Sequence, residues 1–341
     1  MTKREVVKRA IDHNHPPYVP WHFVFSQEAA EKVRHLYQVD DVEDIAGNHL
    51  NRMGSVLGFF TDAGDQCVRD HFGVVWDRSI DKSFGYIHEP VLKKPSLNGF
   101  EPPYDVVPSF VEDFPEKMKR WPDRFRVFNV GLSLFERAWS LRGMENILTD
   151  FYDHPDFVHS LFAALADYNI ALIEEALAWD IDAVYFLDDW GQQQGLLMGP
   201  SLWYEFIYPV LKRLYGFVHD AGKYVMIHSC GDVDELFDDL VEIGLDCFNP
   251  LQPEVMDAPA LMYSFNGKLA FYGGISTQRL LPFGSSDEVR KATSDMITLG
   301  SDGGYICAPS QSIEADVPLE NITALIETVF EQPGYRSLTL P

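Results

Sequence analysis

"KYVMIHSCGDVDELFDDLVEIGLDCFNP" (residues 223–250) reads as a strand, a helix and a second strand. The run 223–228 is apolar without polar alternation, which marks a strand covered on both faces. Residues 232–243 place apolar side chains at helical spacing, and 245–250 repeats the strand pattern. Strands of this kind joined through a helix form a parallel crossover. The alternation continues on both sides. Upstream lie "RVFNVG" (126–131), helices near 133–141 and 155–179, "DAVYFLDD" (182–189) and a helix near 200–221. Downstream come a helix near 257–265, "KLAFYGG" (268–274), a helix near 286–299, "GYICAP" (304–309) and a last helix near 318–331.

Together with "YVPWHFVF" (18–25) this makes seven strands, and a (β/α)8 barrel needs eight. The missing one is expected within 72–107, a stretch rich in Pro, Gly and aromatic residues that also reads as an inserted irregular hairpin or lid. An open doubly wound sheet would carry a Gly-rich phosphate turn after its first strand. "VFSQEAAEK" (24–32) has none. The expected fold is therefore α/β, a (β/α)8 TIM barrel with an N-terminal helical extension. Residues 1–123 carry the extension, the first strand and the lid, and 124–341 the main barrel, all in one structural domain.

The chain has 341 residues and a formal charge of −25. That charge argues against tracking nucleic acid and against adsorption to an anionic membrane, both of which need clustered Lys and Arg. No stretch reaches the ~18 continuous apolar residues of a spanning helix. The N-terminus lacks the apolar core of a secretory signal and reads as an amphipathic helix with Val6, Val7, Ala10 and Ile11 on one side. Four scattered cysteines are too few for a disulfide framework, so the expected compartment is the reducing cytoplasm. Oligomeric state stays open, a homo-oligomer included.

The strands end in chemistry. Asp188-Asp189, His228/Cys230, Asn249, Gly273-Gly274 and Cys307 all stand at carboxyl ends, which in a barrel meet on one rim. Side chains at i and i+2 of a strand point the same way, so His228 and Cys230 offer a nitrogen and a sulfur to one point, and Gly231 permits a tight turn behind them. That pair suits zinc. Cys307 is the expected third ligand, while Cys67 and Cys247 read as packing residues. Asp188, Asp189 and Glu205 are the candidate carboxylates for ligation, for orienting the histidine or for receiving a proton. Strand alternation lets only one of the two aspartates face the lumen, and Asp188 is the favoured one. Trp21, Phe23, Phe25, Phe186, Trp190 and Tyr272 are expected to line an apolar substrate pocket, with Asn249 on the lumenal face and Gln311 also expected to touch substrate.

The segments "FLDDWGQQQGLLMGPSLWYEFIYPVLKRL", "AGKYVMIHSCGDVDELFDDLVEIGLDCFNPLQPE", "LAFYGGISTQRLLPFGSSDEVR" and "GGYICAPSQSIEADVPLENI" resemble the uroporphyrinogen decarboxylase superfamily, most of all its methyltransferase branch. The likeness extends from about residue 125 onward. It implies zinc, a corrinoid (cobalamin) carried by a separate corrinoid-binding protein, and transfer of a methyl group between that cobalt and a small methylated substrate. The decarboxylases carry an arginine-bearing N-terminal signature, whereas "PPYVPWHFVFSQEAA" (16–30) has no arginine. Thiol-activating members resemble His-x-Cys followed by a downstream cysteine in a Pro-Gly-Cys-Gly-Ile-like turn. Alignment of "APSQSIEADVP" with that turn places Gln311 at the cysteine, which favours an aryl methyl ether donor. The alternatives are transfer from methyl-corrinoid to a thiol or tetrahydrofolate, a decarboxylase-like lyase, and a non-catalytic binding barrel.

Overall fold

The computed structural model describes residues 1–80 and 85–335. Seven parallel strands pair in chain order: β1 (Leu50–Met53), β2 (Phe125–Val130), β3 (Ala183–Leu187), β4 (Tyr224–His228), β5 (Cys247–Leu251), β6 (Ala270–Ile275) and β7 (Tyr305–Pro309). Helices alternate with them, among them Phe135–Arg142, Pro155–Leu177, Tyr208–Asp220, Ser286–Leu299 and Leu319–Glu331. The fold is the expected TIM-like α/β architecture.

Two strand assignments change. The segment 18–25 is extended and lies between β7 and β1, but it makes only isolated bridges, from Trp21 to Cys307 and from Phe25 to Ile313. On the β7 side Cys307 N–H donates to Pro20 O and His22 N–H to Cys307 O. On the β1 side His49 N–H reaches Trp21 O, after which the Asn48 carboxamide takes over both groups of Phe23. A side chain standing in for backbone, with Pro20 lacking a donor, explains why the ladder stays irregular. The segment nevertheless joins the two edges of the sheet. The second change is that the strand sought in 72–107 is β1. It is short, and its polar Asn51 and Arg52 hide it from an apolar-run reading. The insertion is instead a four-stranded antiparallel sheet of Phe60–Gly64, Cys67–Asp70, Val75–Asp77 and Tyr86–Glu89. Residues 81–84 of the expected lid lie outside the described residues.

Buried side chains fall into two groups. Residues such as Phe128, Val184, Phe186, Ile227, Phe248 and Phe271 pack outward against the helices. Their neighbours Val127, Tyr185, Met226, Cys247, Tyr272 and Ile306 fill the lumen. The helix Pro155–Leu177 is long and apolar enough to cross a membrane by length and composition, a feature the sequence reading missed because charged residues interrupt it. Here Phe157, Leu161, Leu165, Leu172 and Ile173 bury one of its faces.

The N-terminal helix Lys3–Ile11 starts with a capping box between Thr2 and Glu5 and buries Val6, Val7, Ala10 and Ile11. Val7 and Ile11 join the lumenal cluster, so this helix plugs the barrel at the amino ends of the strands. Backbone bonds from Arg4 to Asp123 O and from Gly304 to Ala10 O hold it in place. Asp182, with its side chain 1% exposed, receives Arg4 Nε at 2.8 Å and Lys8 Nζ at 2.7 Å, and also accepts the Arg126 N–H at 2.9 Å. Its loss removes charged bonds while its two cations can still reach water, so Asp182→Ala should cost about 2 kcal/mol in urea unfolding. Lys8→Ala, at a more exposed site, should cost less than about 1 kcal/mol. Equal effects from the two would contradict this view of the plug.

Candidate metal centre and adjoining cavity

Strand register places His228 opposite Leu187 on one side and Asn249 on the other. Met226 faces the lumen, so His228, two residues on, does too. The chain then turns. Ser229 is buried, donates its N–H to Asn249 O and accepts the Trp190 N–H on its hydroxyl at 3.0 Å. Gly231 has φ +86, and a Cβ there would come within 2.4 Å of Gly191 C and 2.5 Å of Gln192 N. Only glycine fits this turn, which returns Cys230 toward the histidine with Sγ 3.2 Å from Nε2.

The ring of His228 has its proton assigned by its neighbours. Asn249 Nδ2 donates to Tyr272 O at 2.8 Å, which fixes the carboxamide orientation. Its Oδ1 therefore accepts, from Tyr185 OH at 2.6 Å and from His228 Nδ1 at 2.6 Å. With the proton on Nδ1, Nε2 presents its lone pair to Cys230 and Asp189. Asp189 Oδ1 lies 3.7 Å from Nε2 and accepts the Cys230 N–H at 2.8 Å. Ligand atoms of Asp189, His228 and Cys230 all lie within 4.8 Å of one another.

The surroundings are rich in acid. Burial pushes the Cys230 thiol up, and the Asp189 carboxylate adds to the effect. Burial, then Asp189 and Asp188, hold the Glu136 carboxyl well above its usual range. Among the described residues no Lys or Arg forms an ion pair with Asp188, Asp189 or Glu136. A dication would relieve that repulsion. One imidazole nitrogen, one sulfur and one carboxylate fit zinc with a coordination position left over.

Several expected site residues lie elsewhere. Asp188 points away from the lumen, where it accepts the N–H groups of Leu134, Phe135 and Glu136 and the Trp190 indole N–H. It caps the helix Phe135–Arg142. Burial raises its pKa to about 6 against the pull of those donors. The aspartate at the metal corner is Asp189. Cys307 is the wrong parity for a ligand: Ile306 and Ala308 face the lumen, while Cys307 packs on the helix side, its thiol pushed up to about 12 by burial. Trp21, Phe23, Phe186 and Trp190 occupy the same outer layer and Phe25 packs against it, so none of these five joins the cavity lining. Glu205 is exposed on the outer surface, 3.9 Å from His159.

Tyr272 and Gln311 do meet at the site. Tyr272 OH lies 2.6 Å from His22 Nδ1, and Gln311 Nε2 donates to Cys230 Sγ at 2.8 Å. Asn249, expected to touch substrate, instead holds His228 while lining the same space. A cavity of about 280 Å³ adjoins the cluster, lined by Arg52, Tyr185, His228, Asn249, Tyr272 and Gln311 among others. The sequence reading missed Arg52, His22, Tyr185 and Glu136. His22 and Tyr185 each stand one residue from a chosen aromatic, so the opposite phase of alternation would have found them. The lid holds a second grouping, Cys67, Asp77 and His88, with ligand atoms also within 4.8 Å of one another.

Residues 119–332, more than half of the chain, match the family model described as "Uroporphyrinogen decarboxylase (URO-D)". Uroporphyrinogen decarboxylases of Coxiella burnetii, strains Dugway 5J108-111 and RSA 493, are 24% identical over 182 residues, 52% of this chain and 48% of theirs. The chain thus spans about half the length of the curated relatives it matches. A solved methyltransferase from Methanosarcina mazei superposes with a TM-score of 0.74 over 97% of this chain and 99% of that one, at 16% identity, a likeness of fold.

Asn249→Ala frees the His228 ring without touching a ligand, so zinc affinity should fall ~10–100-fold in competition with a chelator while the protein stays folded. Asp188→Asn turns an amide donor toward helix N–H groups. It should cost about 1–2 kcal/mol in urea unfolding and leave zinc affinity near that of the wild type. The reverse pattern would return the ligand role to Asp188.

Proposed function

Because this chain belongs to the uroporphyrinogen decarboxylase family, we propose that it works as a zinc-dependent methyltransferase of that family. It moves a methyl group between a small methylated donor, such as a methoxylated aromatic, and the cobalt of a corrinoid held by a separate protein. The observation that carries this reading is the convergence of Asp189, His228 and Cys230 at the carboxyl rim, with the His228 tautomer set by Asn249.

Zinc bound by these three residues would act as a Lewis acid on the ether oxygen of the donor. The protein supplies the rest. Asn249 and Tyr185 hold the imidazole so that only Nε2 is offered. The Gln311 amide donates to Cys230 Sγ and so favours its thiolate form. The cavity beside the cluster receives the substrate, walled by Tyr185 and Tyr272.

The donor set supports the direction of transfer. With Cys307 turned outward and Gln311 beside Cys230, a single sulfur remains. A site with one thiolate and a carboxylate is harder than a thiolate-rich one and better suited to an oxygen donor than to activating a thiol. A decarboxylase acting on a polycarboxylate would want several basic groups in its cavity. Among the described lining residues Arg52 is the one Lys or Arg.

Elemental analysis should find about one zinc per chain, lost in His228→Ala and Cys230→Ser and kept in Cys307→Ser. Unchanged zinc in the first two variants would end the metal reading. In a split assay, methyl from a methoxylated aromatic should reach a reduced corrinoid protein, with slow or absent transfer from methyl-cobalt to thiols or tetrahydrofolate. Fast thiol methylation without ether cleavage would reverse the direction.

A further inference from the structure

Among the described residues Arg52 is a cation without an anion. It stands on the short strand β1 with its side chain on the lumenal phase set by Leu50. Its Nε donates to Asn129 Oδ1 at 2.9 Å, and its guanidinium carbon lies 4.9 Å from the centre of the Tyr185 ring. The remaining guanidinium N–H groups have no hydrogen-bond partner among the described residues, and no Asp or Glu there forms an ion pair with Arg52. The fully buried arginines are paired, Arg124 with Glu43, Arg137 with Asp70 and Arg142 with Asp150. Half-buried Arg34 and Arg78 form no ion pair among the described residues but lie away from this cavity. In a chain of charge −25 carboxylates are abundant, so an unmatched guanidinium in the wall of this cavity calls for a specific explanation.

Its position supplies one. Arg52 lines the same cavity as His228, and none of the described lining residues is acidic. The guanidinium sits over Tyr185, Tyr185 OH bonds Asn249, and Asn249 holds His228. His22, also in the wall, is kept neutral by burial and by the charge of Arg52. The cavity therefore carries a net positive charge in a strongly acidic protein. A half-desolvated charge is costly until it is paired, and a planar fork of N–H donors matches a carboxylate. Ser310 and Ser312 add hydroxyl groups to the lining.

We propose that Arg52 is an anion subsite, and that the small molecule received beside the metal corner carries a carboxylate. This inference rests on the reading of that cavity as the substrate site and narrows its donor to a methoxylated aromatic carboxylate. The wall of two tyrosines accommodates the ring, Arg52 takes the carboxylate, and the methyl-bearing oxygen is left for the opposite end of the molecule. Arg52 thereby sets specificity without acting on the methyl group.

The test is equilibrium binding by calorimetry, with no corrinoid protein and no turnover, on wild type, Arg52→Gln and Arg52→Lys. The probes are para-methoxybenzoate and the neutral methoxybenzene. Wild type should prefer the acid by at least about tenfold. Arg52→Gln should lose about tenfold or more for the acid with no change for the neutral ether, and Arg52→Lys should fall between. Binding of the acid should survive removal of metal with EDTA. Wild type that binds the acid no better than the ether overturns the proposal, whatever the variants do. So does acid binding that is abolished by EDTA but untouched in Arg52→Gln, since the metal would then be holding the carboxylate. Zinc content and methyl transfer are measured separately: absence of either defeats the methyltransferase reading and leaves this result standing.

Discussion

The carboxamide of Asn249 ties four strands together at one end of the barrel. It stands on β5, donates to the backbone of Tyr272 on β6, and accepts from Tyr185 on β3 and His228 on β4. Every polar atom of the group is committed, so it has one orientation, and the His228 ring inherits it. In the lumen such a group is costly unless fully bonded, and once fully bonded it is rigid. The offered Nε2, the approach of Cys230 and the position of Asp189 all follow from that constraint.

Two devices let the rim be this polar. At the opposite end the N-terminal helix seals the lumen with Val7 and Ile11 and is pinned through Asp182. Along the side, the extended segment 18–25 joins β7 to β1 although Asn48 must complete part of its pairing. An open edge between those strands would leave the lumenal polar groups to water. Stability is thus concentrated away from the chemistry, and the carboxyl rim is free to hold groups chosen for binding.

Charge is divided within a short span. Asp188, Asp189 and Glu136 crowd the corner beside Cys230, whereas Arg52 gives the neighbouring cavity a positive charge. Asp188 shows how the two functions of acid separate here. Although adjacent to Asp189, it faces the other way and serves the helix Phe135–Arg142. One residue of strand alternation divides a structural carboxylate from a candidate ligand.

Sequence alone determined the parallel β/α order, the main strands and helices from 125 onward, and the pairing of His228 with Cys230. Those readings rest on local rules: apolar runs, helical spacing, and the two-residue period that puts i and i+2 on one side. Only the tertiary structure decided which side that was for the other strands. In strands buried on both faces the apolar residues carry no phase, so Trp21, Phe23, Phe186 and Cys307 read as lumenal as readily as His22, Tyr185 and Ile306. The structure also supplied β1, too short and polar to register as a strand, and with it Arg52. Gln311 and Glu136 reach the site from distant segments, 81 residues beyond Cys230 in the case of Gln311. Contacts of that kind depend on strand register and barrel closure, which set distances between segments that no local pattern encodes.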